Sequence, residues 1–193
     1  MASAIIGGLI KDGTPASSIM VVEPFADARQ RLQAQFGVRV LAEANASLAE
    51  ASLVIWAVKP QTFKEAAQQT RQFCANALHL SVAAGIRSDS IANWLGTQRV
   101  VRAMPNTPAL VGLGQTGLFA RTAVTPQDKT WVEQVVATTG ALLWVSDEPL
   151  LDAVTAISGS GPAYVFFFIE AMVEAGVKMG LSAEQATQLA IGT

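Results

Sequence analysis

The sequence predicts an α/β fold in which a doubly wound, mostly parallel sheet is followed by an all-helical C-terminal domain. Over positions 1–145, short apolar runs typical of buried strands alternate with segments of helical periodicity. That alternation favours parallel strands joined by right-handed crossovers. Beyond position 150 no strand pattern is evident, and the apolar residues predict one long helix at 162–180.

The chain opens on a predicted helix, because Ile5, Ile6 and Leu9 share one face at helical spacing before Asp12 and Gly13 end it. The elements predicted next are a strand at 19–22, a helix at 27–36 closed by Gly37, strands at 38–41 and 53–58, a helix at 61–77, a strand at 79–82, a helix at 88–95 closed by Gly96 and a strand at 100–104. Folds of this class open on a strand. We therefore expect the strand at 19–22 to lack the partner strand that would precede the first helix, and one flank of the central sheet to be exposed.

The pattern changes after Pro108, where the segment 109–117 is apolar and rich in glycine. Short strands are predicted at 118–121 and 141–145, on either side of a helix at 126–139. The helix at 162–180 is apolar around most of its circumference, so it must be buried against this chain or against another subunit. We expect a domain of residues 1–146 and the start of a helical dimerisation or substrate domain at 147–193.

Composition limits the classes of function. The 193 residues are 51% apolar and 15% charged, which allows a sizeable core and disfavours disorder. The net charge is −2 with no basic block, so nucleic acid is a poor candidate partner. The lone Cys74 suits a reducing cytoplasm. Glu170 interrupts the apolar run 163–169, so we expect no membrane span, and residues 1–11 do not resemble a signal peptide.

Glu23 follows a predicted strand and lies 21 residues after Ala2. In Rossmann-type domains an acidic residue at about this spacing binds the ribose 2′-hydroxyl of NAD and repels a 2′-phosphate. The alternative is an exposed loop carboxylate. Arg29 and Arg31 are close enough in sequence to bind a 2′-phosphate instead, although a solvated helix face explains them equally simply.

Two turns follow predicted strands at the sheet edge where ligands of doubly wound folds bind. The first turn is Ala57-Val58-Lys59-Pro60, and the second contains Ala83, Ala84 and Gly85. Small residues there would allow a flat nicotinamide ring to approach the backbone. The alternative for the first turn is an ordinary strand-to-helix connection with proline in the first helical turn.

Two further runs combine polar groups with a stiff backbone. Asn106 and Thr107 stand between two prolines at the end of the strand at 100–104, where a simple turn is the alternative. The run Ser158-Gly159-Ser160-Gly161-Pro162 has the composition of a helix start. Free backbone N–H groups at such a start could bind a carboxylate substrate.

Other reactive side chains are few. The single histidine, His79, begins an apolar strand and is expected to be a packed core residue. One histidine and one cysteine do not make a conventional zinc site, and no nucleophile elbow is present. We expect no bound metal.

Together, the motifs at 57–60, 102–108 and 158–164 make the chain resemble the pyrroline-5-carboxylate reductase family over nearly its whole length. The resemblance implies hydride transfer from NADPH or NADH to a cyclic imine that carries a carboxylate, as the last step of proline biosynthesis, by a homodimer or larger homo-oligomer. Because a protonated imine is already electrophilic, no catalytic acid or base is assigned.

The resemblance also implies roles for particular residues. Those expected to bind the cofactor are Met1, Ala2, Glu23, Ala57, Val58, Lys59, Pro60, Ala83, Ala84, Gly85, Asn106 and Thr107. Those expected to bind substrate are Ser158, Gly159, Ser160 and Gly161. Met1 and Ala2 match only the last two positions of the family's turn Gly-x-Gly-Asn-Met-Ala, and the family pattern extends beyond both ends. We therefore expect the chain by itself to be weakly active or inactive.

Two alternatives remain at this point. One is a β-hydroxyacid or 6-phosphogluconate-type dehydrogenase, which uses a lysine on the long helix of its second domain. Lys178 is the only lysine on the predicted helix at 162–180, and it lies at the far end. The other alternative is a non-catalytic fragment that only folds and associates.

Overall fold

The computed structural model describes all residues from Met1 to Thr193, which form seven strands and eight α-helices. The strands are β1 (Met20–Val22), β2 (Arg39–Leu41), β3 (Leu53–Trp56), β4 (Leu78–Ser81), β5 (Val100–Met104), β6 (Gly114–Ala120) and β7 (Gly140–Trp144). The helices are α1 (Ala2–Lys11), α2 (Ala26–Phe36), α3 (Pro60–Thr70), α4 (Ser88–Leu95), α5 (Pro126–Ala137), α6 (Leu150–Val154), α7 (Gly161–Lys178) and α8 (Ala183–Gly192).

The strands form two sheets, which confirms the predicted α/β class. A five-stranded sheet has the order β3-β4-β5-β6-β7, and β1 pairs with β2 in a separate parallel ladder. All neighbours in the large sheet are parallel except β5 and β6. The strand β1 pairs with β2 alone, as expected for a strand without a second partner.

Helix α1 connects the two sheets by packing on elements of both. Ile5 belongs to the core beneath the large sheet, and a Cβ atom on Gly8 would stand 2.6 Å from Oγ1 of Thr138. On the side of the small sheet, Gly7 lies against the ring of Phe36 at the end of α2. The glycines of α1 therefore allow the helix to approach both neighbours closely.

The two faces of the large sheet carry separate cores, because alternate residues of each strand point to opposite sides. Val101 and Ala103 of β5 pack with residues of α1 and α5, whereas Val100 packs with residues of α3 and α4. Arg102 lies between them on the α3 and α4 side and is 7% exposed. A buried arginine therefore stands in the middle of an otherwise apolar strand.

Two predicted boundaries in the α/β region were wrong. The helix predicted at 61–77 ends at Thr70, followed by a short 3₁₀ turn at Arg71–Phe73. Strand β6 begins at Gly114, inside the segment interpreted as a glycine-rich loop. Close packing explains the glycine, since a Cβ atom on Gly114 would lie 2.8 Å from the Thr139 carbonyl oxygen and 2.9 Å from Ala109 Cα.

The C-terminal region contains only helices, and the long helix begins earlier than predicted. Helix α6 runs through a π-helical turn at Thr155–Gly159 directly into α7. By length and composition, the resulting helix Leu150–Lys178 could span a membrane, contrary to the expectation from the apolar run alone. Its aromatic residues are exposed, with Phe167 at 72% and Phe168 at 66%.

His79 is a core residue, as expected, and it is 1% exposed on β4. The indole Nε1–H of Trp56 donates a hydrogen bond of 3.0 Å to His79 Nδ1. Burial, opposed by a hydrogen bond with the Cys74 backbone and assisted by the charge of Arg99, lowers the pKa of His79 to about 4. The side chain is therefore neutral at physiological pH.

This depressed pKa makes stability depend on pH below neutrality. Between pH 6.5 and 4 the unfolded chain gains a proton at His79 that the folded chain does not bind. The free energy of unfolding should therefore fall by about 2 kcal/mol between pH 7 and pH 5. Urea unfolding at several pH values measures this slope.

The variant His79→Asn is the control for this prediction, because its amide oxygen can still accept from Trp56 but does not titrate. Since the chain has one histidine, the slope between pH 7 and pH 5 should disappear in this variant. An unchanged slope would show that another group is responsible.

Candidate functional site

The carboxyl ends of β3, β4 and β5 meet at one edge of the large sheet because these strands are parallel neighbours. The residues that follow them are exposed at this edge, namely Lys59, Ala84, Gly85 and Thr107. Gly85 has φ of 75°, a conformation that favours glycine, and a Cβ atom there would meet nothing within 4 Å. The backbone at Ala84 and Gly85, in the turn that follows β4, is therefore accessible at this edge because both residues are small.

The N-terminus of α1 lies beside the same edge. A cavity of about 10 Å³, large enough for roughly one water molecule, is lined by Met1 together with Val82 and Pro105. These last two residues directly follow β4 and β5. Met1, directly before α1, therefore stands next to the residues that follow β4 and β5.

Glu23 directly follows β1, and its carboxylate folds back onto its own loop. The backbone N–H of Phe25 donates to Glu23 Oε1 at 2.9 Å. The guanidinium of Arg29 donates to the carbonyl oxygens of Glu23 and Pro24, at 2.8 and 2.7 Å. Arg29 is therefore occupied with the backbone, and one carboxylate oxygen of Glu23 has no protein donor.

Asn106 brings the two polar runs together. Its side-chain amide donates to Ser158 Oγ at 3.1 Å, and its carbonyl oxygen accepts from the backbone N–H of Gln115 at 2.8 Å. Asn106 is 9% exposed, whereas Thr107 is exposed. One side chain thus connects the loop after β5, the start of β6 and the helix that leads into α7.

The run 158–162 contains the start of α7, as predicted, with Ser160 before its first residue and Pro162 in its first turn. The start is not isolated, because α6 and a π-helical turn precede it directly. It lies within a continuous helix at the π-helical turn, where the Ser160 N–H donates to the Thr155 carbonyl at 2.9 Å. Pro162 has no N–H for the carbonyl four residues earlier, so a regular α-helix could not continue through it. The wider turn accommodates the proline, and π turns of this kind are frequent at functional sites.

The two glycines of this turn have different surroundings. A Cβ atom on Gly159 would lie 2.8 Å from Met104 Cε, so this glycine allows close approach to the end of β5. A Cβ atom on Gly161 would meet nothing within 4 Å. Gly161 therefore leaves open space beside the residues that join the sheet edge to the helix.

A cluster of charged residues behind this turn was missed from the sequence. Glu148 Oε1 accepts from Arg102 Nη1 at 2.5 Å and from the Ser88 N–H at 2.6 Å, and Glu148 Oε2 accepts from Ser88 Oγ at 2.5 Å. Arg121 Nη1 donates to Ser88 Oγ at 3.0 Å and is paired with Asp89. Arg102, a charged residue within the otherwise apolar strand β5, is the feature of the sequence that could have indicated this cluster.

The pKa of Glu148 reflects these contacts. Burial alone would raise it, but hydrogen bonds from Ser88 and Arg102 outweigh burial and hold the pKa below its usual value. The carboxylate is therefore ionised at neutral pH. No group of three or more His, Cys, Asp or Glu residues lies close enough to hold a metal ion.

An open α/β sheet with small residues along its carboxyl edge, followed by a helical region, is the architecture found in nicotinamide-dependent oxidoreductases. Two family models match the chain. One, described as "NADP oxidoreductase coenzyme F420-dependent", covers residues 1–85, and the other, "Pyrroline-5-carboxylate reductase dimerisation", covers residues 148–193.

Curated relatives are similar over the whole chain. Pyrroline-5-carboxylate reductase of Pseudomonas aeruginosa is 42% identical, with 100% of this chain and 71% of that protein covered. The Escherichia coli enzyme of the same name is 38% identical, with 98% and 71% covered. The chain belongs to the pyrroline-5-carboxylate reductase family.

Solved structures agree with this assignment. A pyrroline-5-carboxylate reductase from Coxiella burnetii superposes with a TM-score of 0.92 at 34% identity, covering 99% of this chain and 72% of that one. The Plasmodium falciparum enzyme, solved with NADP bound, superposes with a TM-score of 0.84 at 28% identity, with 98% and 70% covered. Prephenate dehydrogenase from Aquifex aeolicus shares the fold, with a TM-score of 0.68 at 15% identity, 90% of this chain and 66% of that one being covered.

The bridging role of Asn106 can be tested by stability. Asn106→Ala leaves the Gln115 N–H without its acceptor and should lower the free energy of unfolding by about 1–3 kcal/mol. Ser158→Ala loses only one neutral hydrogen bond and should cost about 0.5–1.5 kcal/mol. Urea denaturation measures both. Asn93→Ala, at an exposed position of α4, is the control, and an equal loss in Asn106→Ala and Asn93→Ala would contradict the assignment.

Proposed function

We propose that this protein reduces 1-pyrroline-5-carboxylate to L-proline with hydride from NADPH or NADH. Membership of the pyrroline-5-carboxylate reductase family supports this activity. The structural observation that carries it is the contact of Asn106 with Ser158, which places the helical turn at the sheet edge where a dinucleotide would bind.

The chain's residues act by positioning. When bound, the nicotinamide supplies a hydride equivalent to the imine carbon, and the imine nitrogen already carries its proton. The small residues Ala84 and Gly85 leave room for a flat ring at the edge of β4, and Gly161 leaves open space at the start of α7. Asn106 joins the loop after β5 to the helix that leads into α7, and alignment of this kind contributes much of the rate in such transfers.

We propose specific roles for the predicted residues. Those assigned to the cofactor are Met1, Ala2, Glu23, Ala57, Val58, Lys59, Pro60, Ala83, Ala84, Gly85, Asn106 and Thr107. Those assigned to the substrate are Ser158, Gly159, Ser160 and Gly161. Most of the first set lies along one edge of the large sheet or at the start of α1, which supports the first assignment, whereas Glu23 follows β1 of the small sheet. We further propose the domain boundary at 146/147, just after β7.

The exposed aromatic face of α7 supports association with a second subunit. Tyr164 is 60% exposed and Phe166 62% exposed, and the dimerisation family model covers this helix. We propose that the face is covered in a homodimer, with the protein in the cytoplasm and away from membranes and nucleic acid. Size-exclusion chromatography with light scattering measures the subunit count.

The dehydrogenase alternative is disfavoured by the position of Lys178. Its ammonium is paired with Glu174 at 2.6 Å, both side chains are exposed, and the lysine lies at the end of α7 that is distant from the turn. It therefore does not reach the sheet edge as an acid or base.

The activity is tested by following NADPH and NADH oxidation with 1-pyrroline-5-carboxylate, in this chain and in its complete reading frame. Substrate-dependent oxidation in either preparation supports the proposal. Oxidation in neither, with tight NADPH binding retained, would favour a different substrate. Absence of both turnover and nucleotide binding would favour a protein that only associates.

Glu23 is expected to favour NADH. Glu23→Ser removes a charge-assisted hydrogen bond to the ribose hydroxyls, which should weaken NADH binding by about 1.5–3 kcal/mol, or roughly 10- to 150-fold. Removing the carboxylate also removes its repulsion of a 2′-phosphate, so NADPH should bind more tightly. Fluorescence titration with both nucleotides measures the shift. Glu43→Ser, at an exposed position after β2, is the control, and unchanged constants in Glu23→Ser would contradict the role.

Gly161 is expected to matter for substrate and not for folding. Gly161→Ala places a methyl group in open space and improves helix propensity, so stability should rise by up to about 1 kcal/mol. If substrate occupies that space, kcat/KM for the imine should fall by roughly 10- to 100-fold. Gly192→Ala, also helical and open, is the control. Equal kcat/KM in Gly161→Ala and wild type would remove Gly161 from the site.

A further inference from the structure

The Glu148 carboxylate connects two parts of the chain that are distant in sequence. It accepts from Arg102 of β5 and from both the N–H and the hydroxyl of Ser88 at the first turn of α4. The side chains of Arg102 and Glu148 are 9% and 15% exposed. We call these three residues the Glu148 clasp.

The clasp and the Asn106–Ser158 contact are two separate connections between the same two parts of the chain. One part is β5 with the loop after it, and the other is the segment 148–158. On the sheet, Arg102 and Asn106 are four residues apart, which is about 13 Å in an extended chain. On the other side, Glu148 lies in the turn before α6, and the segment from Leu150 to Ser158 spans about 12 Å at helical rise. The two contacts are separated by a similar distance along each part of the chain. They therefore fix the angle between the two parts as well as their separation.

Between the clasp and the Asn106–Ser158 contact, close packing keeps α6 against the sheet. A Cβ atom on Gly117 of β6 would lie 2.8 Å from Val154 Cγ1, and Leu151 is 1% exposed. Helix α6 therefore lies directly on the sheet between the clasp and the π turn. Glu148 lies in the turn directly before α6, and its carbonyl oxygen accepts from the Leu151 N–H at 3.0 Å, so the residue is attached to the start of the helix that leads to the π turn.

We propose that Glu148 is a positioning residue, whose contacts with Arg102 and Ser88 set the angle at which the turn 155–161 faces the carboxyl edge of the sheet. This rests on the proposed reductase function, and it adds a residue outside the predicted site. A buried ion pair can often be replaced by apolar residues without loss of stability. The clasp is therefore expected to matter for geometry more than for folding.

The first test is Glu148→Gln in the complete reading frame, which keeps the shape of the side chain and removes its charge. Loss of the clasp should raise KM for the imine at least tenfold and leave KM for NADPH within twofold. A purely structural role would lower the fraction of folded enzyme, and hence the apparent kcat, with both KM values unchanged.

The second test separates geometry from charge balance. In Arg102→Met/Glu148→Met no unpaired buried charge remains, so the melting temperature should return to within a few degrees of wild type. The raised KM for the imine should persist, because the hydrogen bonds that set the angle are absent. Recovery of both the melting temperature and KM in the double variant would overturn the proposal.

A matched control is the ion pair of Arg99 and Asp128, with a distance of 2.7 Å. Arg99 precedes β5, so this pair lies at the opposite edge of the sheet from the turn. Asp128→Asn should lower the melting temperature and change neither KM. If it raises KM for the imine as much as Glu148→Gln does, the effect is general destabilisation and the proposal fails.

Hydrogen exchange gives a measurement that does not depend on the reaction. Amides at 156–161 should exchange faster in Glu148→Gln than in wild type, and amides of α5 should not. If wild type has no reductase activity but this difference is found, the positioning role stands and the proposed function fails. If exchange is unchanged at 156–161, the positioning role fails whatever the activity.

Discussion

The hydrogen bonds of Asn106 are the interaction on which the arrangement of the site depends. One amide group connects the loop after β5, the first residues of β6 and the helical turn at 155–159. Asparagine suits this place because its side chain offers a donor and an acceptor at once, and aspartate would offer only acceptors. The sheet edge and the helical region are thereby joined by a side chain that is itself almost buried.

Glycine determines how closely the surrounding elements approach. Gly117 allows α6 to pack closely on β6, and Gly159 allows the π turn to pack closely on Met104 at the end of β5. At Gly161 the missing side chain serves a different purpose, since the space it leaves faces no protein atom. The turn is closely packed by its neighbours, so it is held rigidly. The open space beside it leaves access for a ligand.

Several ionisable side chains of the protein connect one element of secondary structure to another. Glu148 joins α4 to β5, Asp128 joins the start of α5 to Arg99, and His79 is a neutral acceptor for Trp56. None of these groups forms an acid–base pair at the sheet edge. This distribution fits a family whose reaction needs alignment of two ligands more than proton transfer by a side chain.

The sequence by itself determined the α/β class and the order of most elements, because strand and helix periodicity are local properties. The family resemblance also predicted that Asn106 and the run 158–161 belong to one site, and the structure brings Asn106 into contact with Ser158. Only the tertiary structure showed that β6 starts at Gly114, that a π turn at Thr155–Gly159 joins α6 to α7 and that Glu148 contacts Arg102 and Ser88. These features depend on contacts between residues up to 60 positions apart, and local periodicity carries no information about such contacts.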